Sequence, residues 1–105
     1  MLNQVVLVGR LTKDLEIKEL EDRKKVVNLT LAVPRSFKNV DGEYETDFID
    51  CTLWNSVAEN TAEFCKQGDI VGIKGRLQTT NTNERKYTQV IAEKVTFLSS
   101  KSNND

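Results

Sequence analysis

The sequence predicts an all-β fold in which five strands close into a barrel and one helix lies between strands 3 and 4. Three observations support this: short alternating or β-branched runs recur, helix start and stop signals occur in one segment, and three strands precede it while two follow. At 105 residues the chain is long enough for one core and too short for two. We therefore expect one domain over residues 1–98 and a short, disordered polar tail over 99–105.

The first strand is predicted from four consecutive apolar residues, 5–8, in a run too short for a typical helix. Both faces of this strand are apolar, so we expect one face to meet the core and the other to be covered by a second subunit. Gly9 indicates a bulge or bend in the strand. The second strand, 26–33, alternates apolar and polar residues, and Pro34 is expected to end it.

The third strand, 48–54, places two aromatic rings on a polar face. Because side chains alternate along a strand, Phe48 and Trp54 share a face with Asp50 and Thr52. The apolar set can line a core only if both rings point away from it; this set is Ile49, Cys51 and Leu53. Outward rings on a strand favour stacking against the bases of single-stranded nucleic acid. The competing interpretation is burial of the rings in a subunit interface.

The remaining segments complete the pattern. Residues 35–46 predict an exposed loop or ribbon with an Asp41-Gly42 turn. A helix is predicted here, because residues 56–59 fit a capping box and Gly68 fits a left-handed C-cap. Phe64 and Phe97 are expected to face the core. Two strands, 70–77 and 87–98, follow and form a hairpin. This order matches the five-stranded OB-fold barrel.

Composition argues against several classes of protein. The chain has no His, Gly-rich phosphate loop, nucleophile elbow or suitably placed carboxylate pair, so we expect no enzyme activity and no cofactor. Cys51 and Cys65 are isolated, which argues against a zinc site or a disulfide and favours two buried thiols. No membrane span or signal peptide is visible, so the cytoplasm is the expected compartment.

Positive charge is unevenly distributed along the chain. The net charge is -1, residues 41–50 hold five acids and no base, and residues 66–86 are richer in bases. The net charge therefore argues against binding of nucleic acid by bulk positive charge alone, and stacking is expected to contribute more. Basic residues 13–25 alternate with acids and are interpreted as intramolecular charge balance. The candidates for phosphate contact are Arg10, Arg35, Lys38, Lys74, Arg76, Arg85 and Lys86.

Six segments together carry a family resemblance: MLNQVVLVGRLTKD (1–14), NLTLAV (28–33), DFIDCTLWNSVAEN (47–60), KQGD (66–69), GRLQT (75–79) and VTFL (95–98). With these segments the chain resembles the bacterial single-stranded DNA-binding proteins over nearly its whole length. The resemblance implies sequence-tolerant binding and protection of single-stranded DNA in replication, recombination or repair. It also implies a homotetramer, with a dimer as the minimum unit.

The resemblance assigns base stacking to Phe37, Phe48 and Trp54. Tyr87 and Tyr44 are more typical of packing at a strand edge, and we expect only weaker roles for them. The chain departs from the family in three places. The hairpin over 78–84 lacks the usual aromatic residue, residues 55–56 are not basic, and no long tail with an acidic tip follows the barrel. The resemblance implies replication or recombination proteins as partners, but the chain lacks the acidic tail that would recruit them.

Two alternatives stay open at this stage. One is a tail-less OB-fold accessory factor of the primosome type, which works chiefly as a protein adaptor. The other is a structural OB module whose aromatic face docks a protein and never binds nucleic acid.

Overall fold

The computed structural model describes residues 1–100, which form a closed barrel. The elements are β1 (Val5–Leu11), β2 (Lys18–Glu19), β3 (Lys25–Lys38), β4 (Tyr44–Trp54), α1 (Asn55–Phe64), β5 (Ile70–Asn81) and β6 (Lys86–Ser99). Apart from the two-residue β2, five long strands make the barrel and the helix lies between the third and fourth of them. The predicted OB-fold barrel is confirmed. The predicted polar tail begins inside β6, and residues 101–105 lie outside the described part of the chain.

The barrel closes through β1. The sheet order is β1-β5-β6-β4-β3-β2, and β1 also pairs with β3. Arg10 lies opposite Ile70 of β5 and opposite Ala32 of β3, so one strand joins both ends of the sheet. At Gly9 the register with β5 is continuous, so no bulge lies there; the alternative, a bend in the strand, stays a prediction. Glycine is needed there for another reason: a Cβ at Gly9 would lie 2.6 Å from the carbonyl oxygen of Ala32.

The core follows the predicted alternation. Val27, Leu29 and Leu31 of β3 are buried, as are Cys51 and Leu53 of β4. These side chains meet buried residues from β1, β5, β6 and the helix: Leu11, Val71, Ile73, Ala92 and Ala58. The thiol of Cys65 is also buried, which confirms the expectation for both cysteines.

The long ribbon of β3 and β4 corrects one strand boundary. Pro34 lies opposite Thr46, and β3 continues to Lys38 instead of ending at the proline. The register shifts between Pro34 and Lys38, and proline is tolerated where the ladder is interrupted. The turn at the ribbon tip is fixed by Asn39, whose side-chain oxygen accepts the N–H groups of residues 41 and 43 at 2.9 Å. The exposed ribbon itself was predicted correctly.

The helix begins and ends differently from the prediction. Trp54 occupies the N-cap with extended backbone and makes no side-chain cap hydrogen bond, so the predicted capping box at 56–59 is wrong. The chain instead turns at Asn55, which has a φ of 54° and accepts the Lys25 N–H on its Oδ1 at 3.1 Å. Gly68 does take a positive φ of 92°, but four residues beyond the helix, where its N–H donates to the Leu11 carbonyl.

Two phenylalanines predicted to lie in the core are exposed. Phe64 is 68% exposed and Phe97 is 48% exposed. Phe97 lies opposite the buried Val71, so it has the inward orientation, but it sits near the end of β6 where the barrel opens. Phe64 is the last residue of α1, whose buried side chains are Ala58 and Thr61. The two rings border a shallow cleft of about 200 Å³.

Across residues 1–100, no helical segment has the length and hydropathy that a membrane crossing requires.

We predict that Gly9→Ala lowers the free energy of unfolding by at least about 2 kcal/mol, because the added methyl overlaps the Ala32 carbonyl and two neighbouring side chains. Gly72→Ala is the matched control, since its Cβ would meet no atom closer than 3.7 Å. The control is expected to stay within about 1 kcal/mol of the parent. Urea unfolding at one protein concentration measures both variants, and equal losses would contradict the close approach at Gly9.

Burial raises the pKa of the Cys51 thiol from 9.0 to about 11, with the neighbouring Asp50 carboxylate adding to the effect. Between these two values the folded chain keeps a proton that the unfolded chain releases, so stability falls as pH rises through this window. The expected loss is about 2 to 3 kcal/mol. Urea unfolding at both ends of the window, compared with Cys51→Ala, isolates this contribution because other groups titrate alike in both proteins. An identical loss in the variant would assign the pH dependence to other groups.

Candidate nucleic-acid interface

The outer surface of β3 and β4 forms a continuous face that we call the aromatic face. In this antiparallel ladder Trp54 lies opposite Val26, and Phe48 lies opposite Ala32. Between them Thr52 lies opposite Asn28 and Asp50 opposite Thr30. Residues directly opposite each other point to the same side of a sheet. The aromatic face therefore consists of Asn28, Thr30, Ala32, Phe48, Asp50, Thr52 and Trp54.

The two rings of the aromatic face are accessible. Phe48 is 67% exposed and Trp54 is 37% exposed, so the alternation correctly predicts outward rings. Six residues of extended strand separate them by about 20 Å. Trp54 is the more covered ring, and Val26 opposite it is buried. Two separated flat surfaces can each take a base, with several nucleotides between them.

The ribbon carries two further aromatic residues away from the barrel. Phe37 is 64% exposed and lies in the segment where the β3–β4 register shifts. Tyr44 lies opposite Lys38, whose ammonium nitrogen is 5.7 Å from the centre of the Tyr44 ring. This distance permits a cation–π contact, which holds a positive charge beside an exposed ring. The structure thus presents Phe37 and Tyr44 to solvent, separate from the Phe48 and Trp54 pair.

A groove of about 380 Å³ occupies the middle of the aromatic face. Its floor includes Asp50, which accepts the Thr30 hydroxyl at 2.7 Å. Beside them the Thr52 hydroxyl donates to the Asn28 side-chain oxygen at 3.2 Å. Strand β6 pairs in parallel with β4, so residues near its start also line the groove: Tyr87, Thr88 and Gln89. Tyr87 therefore belongs to the same surface as the predicted stacking rings.

Lys13 also lines this groove, although it is not among the predicted phosphate ligands. Its neighbours in the chain carry mixed charges that suggested internal balance. Barrel closure brings the loop after β1 next to Asn28 and Thr52, and no local pattern in the sequence indicates that proximity.

Arg10 is the predicted phosphate ligand that lies nearest to the rings by register. It is opposite Ala32, which is in turn opposite Phe48, so the three residues form a row across three strands. Two interstrand spacings place Arg10 and Phe48 about 10 Å apart. One guanidinium nitrogen of Arg10 donates to the Gly68 carbonyl at 2.6 Å, and this bond anchors the side chain.

Arg35 is held by two carboxylates. Its guanidinium contacts Asp47 at 2.9 Å and Glu45 at 3.0 Å. The hydrogen bond from Arg35 keeps the pKa of Asp47 below its usual range, and Asp47 in turn raises the pKa of Arg35. Since Glu45 and Asp47 alternate with Tyr44 along β4, this cluster lies on the opposite face of the ribbon. Two acids around one base leave little positive potential for a phosphate.

The other predicted basic residues are dispersed. Arg76 pairs with Glu93 at 3.4 Å. Lys74 lies opposite Val6 of β1, on a different side of the barrel from Phe48. Arg85 and Lys86 lie on the hairpin that leads into Tyr87. Within residues 1–100, the side chains of Lys74, Arg85 and Lys86 make no ion pair.

The outer face of β1 is apolar and uncovered in the single chain. Val6 and Val8 are exposed, and Leu98 of β6 is exposed beside them. A Cβ at Gly72 would lie within van der Waals reach of both Val8 and Leu98, so these side chains converge over the glycine. The predicted second apolar face of β1 exists, and its cover by another subunit stays a prediction.

Among the described residues, no group of three His, Cys, Asp or Glu side chains is arranged to hold a metal ion.

Comparisons with known proteins agree with this geometry. The model of the single-strand binding protein family matches residues 2–98. Single-stranded DNA-binding protein B of Bacillus subtilis is 46% identical over 106 residues, covering 96% of this chain and 94% of the relative. Single-stranded DNA-binding protein 3 of Listeria innocua is 50% identical over 108 residues, covering 98% of this chain and 68% of the relative.

A solved structure shares the fold. It is a deletion mutant of the single-stranded DNA binding protein from Thermus aquaticus, with a TM-score of 0.76 and 25% identity. The match covers 92% of this chain and 50% of the Thermus chain. Because the family match extends over nearly the entire barrel and relatives near half identity cover almost all of the chain, the protein belongs to the single-strand binding protein family.

Proposed function

We propose that residues 1–98 form one domain that binds and protects single-stranded DNA with little sequence preference, in replication, recombination or repair. The observation that carries this proposal is the pair of exposed rings, Phe48 and Trp54, on one face of β4. Phe37 supplies a third ring from the ribbon, while Tyr44 and Tyr87 make weaker contacts. The mechanism is non-enzymatic and takes place in the cytoplasm.

Stacking supplies most of the binding free energy in this proposal. Each stacked base contributes about 1 to 3 kcal/mol, and every base has a π-face, so the interaction tolerates any sequence. Duplex DNA hides these faces within its own stack and is expected to bind much less well. The net charge of -1 makes a mechanism based on bulk attraction unsuitable.

The basic residues divide into three groups under this proposal. The first group contacts phosphates, since its members have no acidic partner within residues 1–100: Arg10, Lys38, Arg85 and Lys86. Arg10 shares a cross-strand row with Phe48, Lys38 contacts the Tyr44 ring, and the other two lead into Tyr87. Arg35 and Arg76 contribute less because carboxylates already neutralise them. Lys74 faces another side of the barrel and contacts DNA only if the strand wraps around it.

The oligomeric state is proposed to be a homotetramer, with a dimer as the minimum unit. The exposed apolar surface of Val6, Val8 and Leu98 supports this, because burial of such a patch is favourable. Replication and recombination proteins are further candidate partners in this role.

A protein-adaptor role is the second candidate, and one observation favours it. Asp50 places a carboxylate in the middle of the aromatic face, and Arg35 is neutralised, so phosphates find less attraction there than the count of basic residues suggests. An aromatic face with a central acid could instead dock a basic protein partner.

Titration with single-stranded oligothymidylate distinguishes the two roles. Trp54 is the single tryptophan, so its fluorescence reports directly on the aromatic face. We expect strong quenching in the leading proposal, and we expect Trp54→Ala to raise the Kd of a labelled oligonucleotide at least about fivefold, measured by anisotropy. The melting temperature should change little.

Phe64→Ala is the control, because it removes an exposed ring from the helix end, outside the aromatic face. Its Kd should equal that of the parent protein. Absence of quenching would favour the adaptor role, and equal losses in the two variants would remove the assignment of stacking to Trp54.

The salt dependence of binding should separate free from neutralised basic residues. For single strands, each phosphate contact adds about -0.7 to the slope of log K against log salt concentration. We expect Lys38→Gln to reduce the slope by this amount and Arg35→Gln to leave it nearly unchanged, because Arg35 already has two acidic partners. A short oligonucleotide that occupies one barrel should be used. The reverse order of effects would show that Arg35 exchanges its carboxylates for phosphate.

A further inference from the structure

Apart from Tyr87 in its lining, the central groove of the aromatic face has no role in the stacking mechanism itself. Along β4, Asp50 follows Phe48 by two residues and Thr52 precedes Trp54 by two, all on the same face. The groove at Asp50 and Thr52 therefore lies between the two rings. Nucleotides that connect a base on Phe48 with a base on Trp54 must pass over it.

The groove presents a defined acceptor and a defined donor. The Thr30 hydroxyl donates to Asp50 Oδ1, and within residues 1–100 no hydrogen bond or ion pair occupies Oδ2. The Thr52 hydroxyl donates to the oxygen of the Asn28 amide, which leaves the Asn28 NH₂ group to donate. Asp50 and Asn28 lie diagonally across the ladder, each bonded to the threonine opposite it, so one groove contains both an anionic acceptor and an amide donor.

The carboxylate decides which part of a nucleotide enters. A phosphate carries negative charge and is repelled by Asp50, whereas the edge of a base can offer N–H donors to it. An exocyclic amino group is the donor that a carboxylate accepts in base recognition, as with N4 of cytosine.

We propose that Asp50 makes this groove a base-edge subsite that favours amino-bearing bases, cytosine foremost, over thymine. The 4-amino group of cytosine donates to Asp50 Oδ2, and the adjacent N3 accepts from the Asn28 NH₂ group. Thymine places the O4 carbonyl where cytosine has the amine, so two acceptors face each other. The subsite rests on the proposed DNA binding and adds a compositional bias to it.

Asp50→Asn is the direct test, because asparagine has the same shape and its oxygen can still accept the Thr30 hydroxyl. Its NH₂ group then replaces Oδ2, so an outward donor stands where an acceptor was, and this donor matches O4 of thymine. The Kd values of oligodeoxycytidylate and oligothymidylate of about ten nucleotides, a length within the range that one OB fold covers, are measured at neutral pH.

The expected result is a fall of at least about fivefold in the ratio of the thymidylate Kd to the cytidylate Kd, relative to the parent protein. Because both proteins meet the same two oligonucleotides, the stiffness and self-stacking of the oligonucleotides cancel in this comparison. Glu63→Gln is the control: it removes the same charge from an exposed position of α1, and the ratio should not move.

Two other results would overturn the inference in distinguishable ways. If Asp50→Asn changes both Kd values by one common factor, Asp50 acts only by repelling phosphates; DNA binding then stands and the base preference falls. If the parent protein binds neither oligonucleotide, the proposed function itself fails, and the subsite fails with it.

Discussion

The antiparallel ladder between β3 and β4 is the constraint on which the rest of the structure depends. Burying Val27, Leu29 and Leu31 against Cys51 and Leu53 fixes the register of both strands. Each fully buried aliphatic side chain contributes about 1.5 to 3 kcal/mol. A slip of one residue would turn these side chains to solvent and push polar ones into the core. The aromatic face is consequently set by the core: its rings face outward because the apolar set faces inward.

Electrostatics decides how that face can be used. The chain has 16 acidic residues against 15 basic ones, and the structure pairs Arg35 and Arg76 with carboxylates. Positive charge is therefore available only at scattered points around the rings. A binder of this kind depends on contacts with bases, which salt screens weakly, more than on contacts with phosphates, which salt screens strongly.

Much of this could be predicted from the sequence, because the signals concerned are local. Alternation over 48–54 predicts both the buried Cys51 and the exposed Phe48, since a strand has a period of two wherever it lies. The capping box at 56–59 failed because a tertiary contact, the Lys25 N–H on Asn55, starts the helix earlier. Phe97 has the predicted inward orientation but is still exposed, because burial also depends on its position along the barrel.

The central groove shows where prediction from sequence ends. Lys13, Asn28 and Tyr87 come from three distant segments, and only closure of the barrel brings them to one surface. Its polar character nevertheless follows from the same ladder that forms the core, because Asn28 and Thr30 alternate with buried residues. Those polar side chains bond to each other across the strands, while Asp50 Oδ2 and the Asn28 NH₂ group keep capacity for a ligand. Substitutions on the outer face can therefore alter what the protein binds while the buried half of each strand keeps the fold. Alternate residues of a single strand therefore have different functions: the inward ones stabilise the fold, and the outward ones determine recognition.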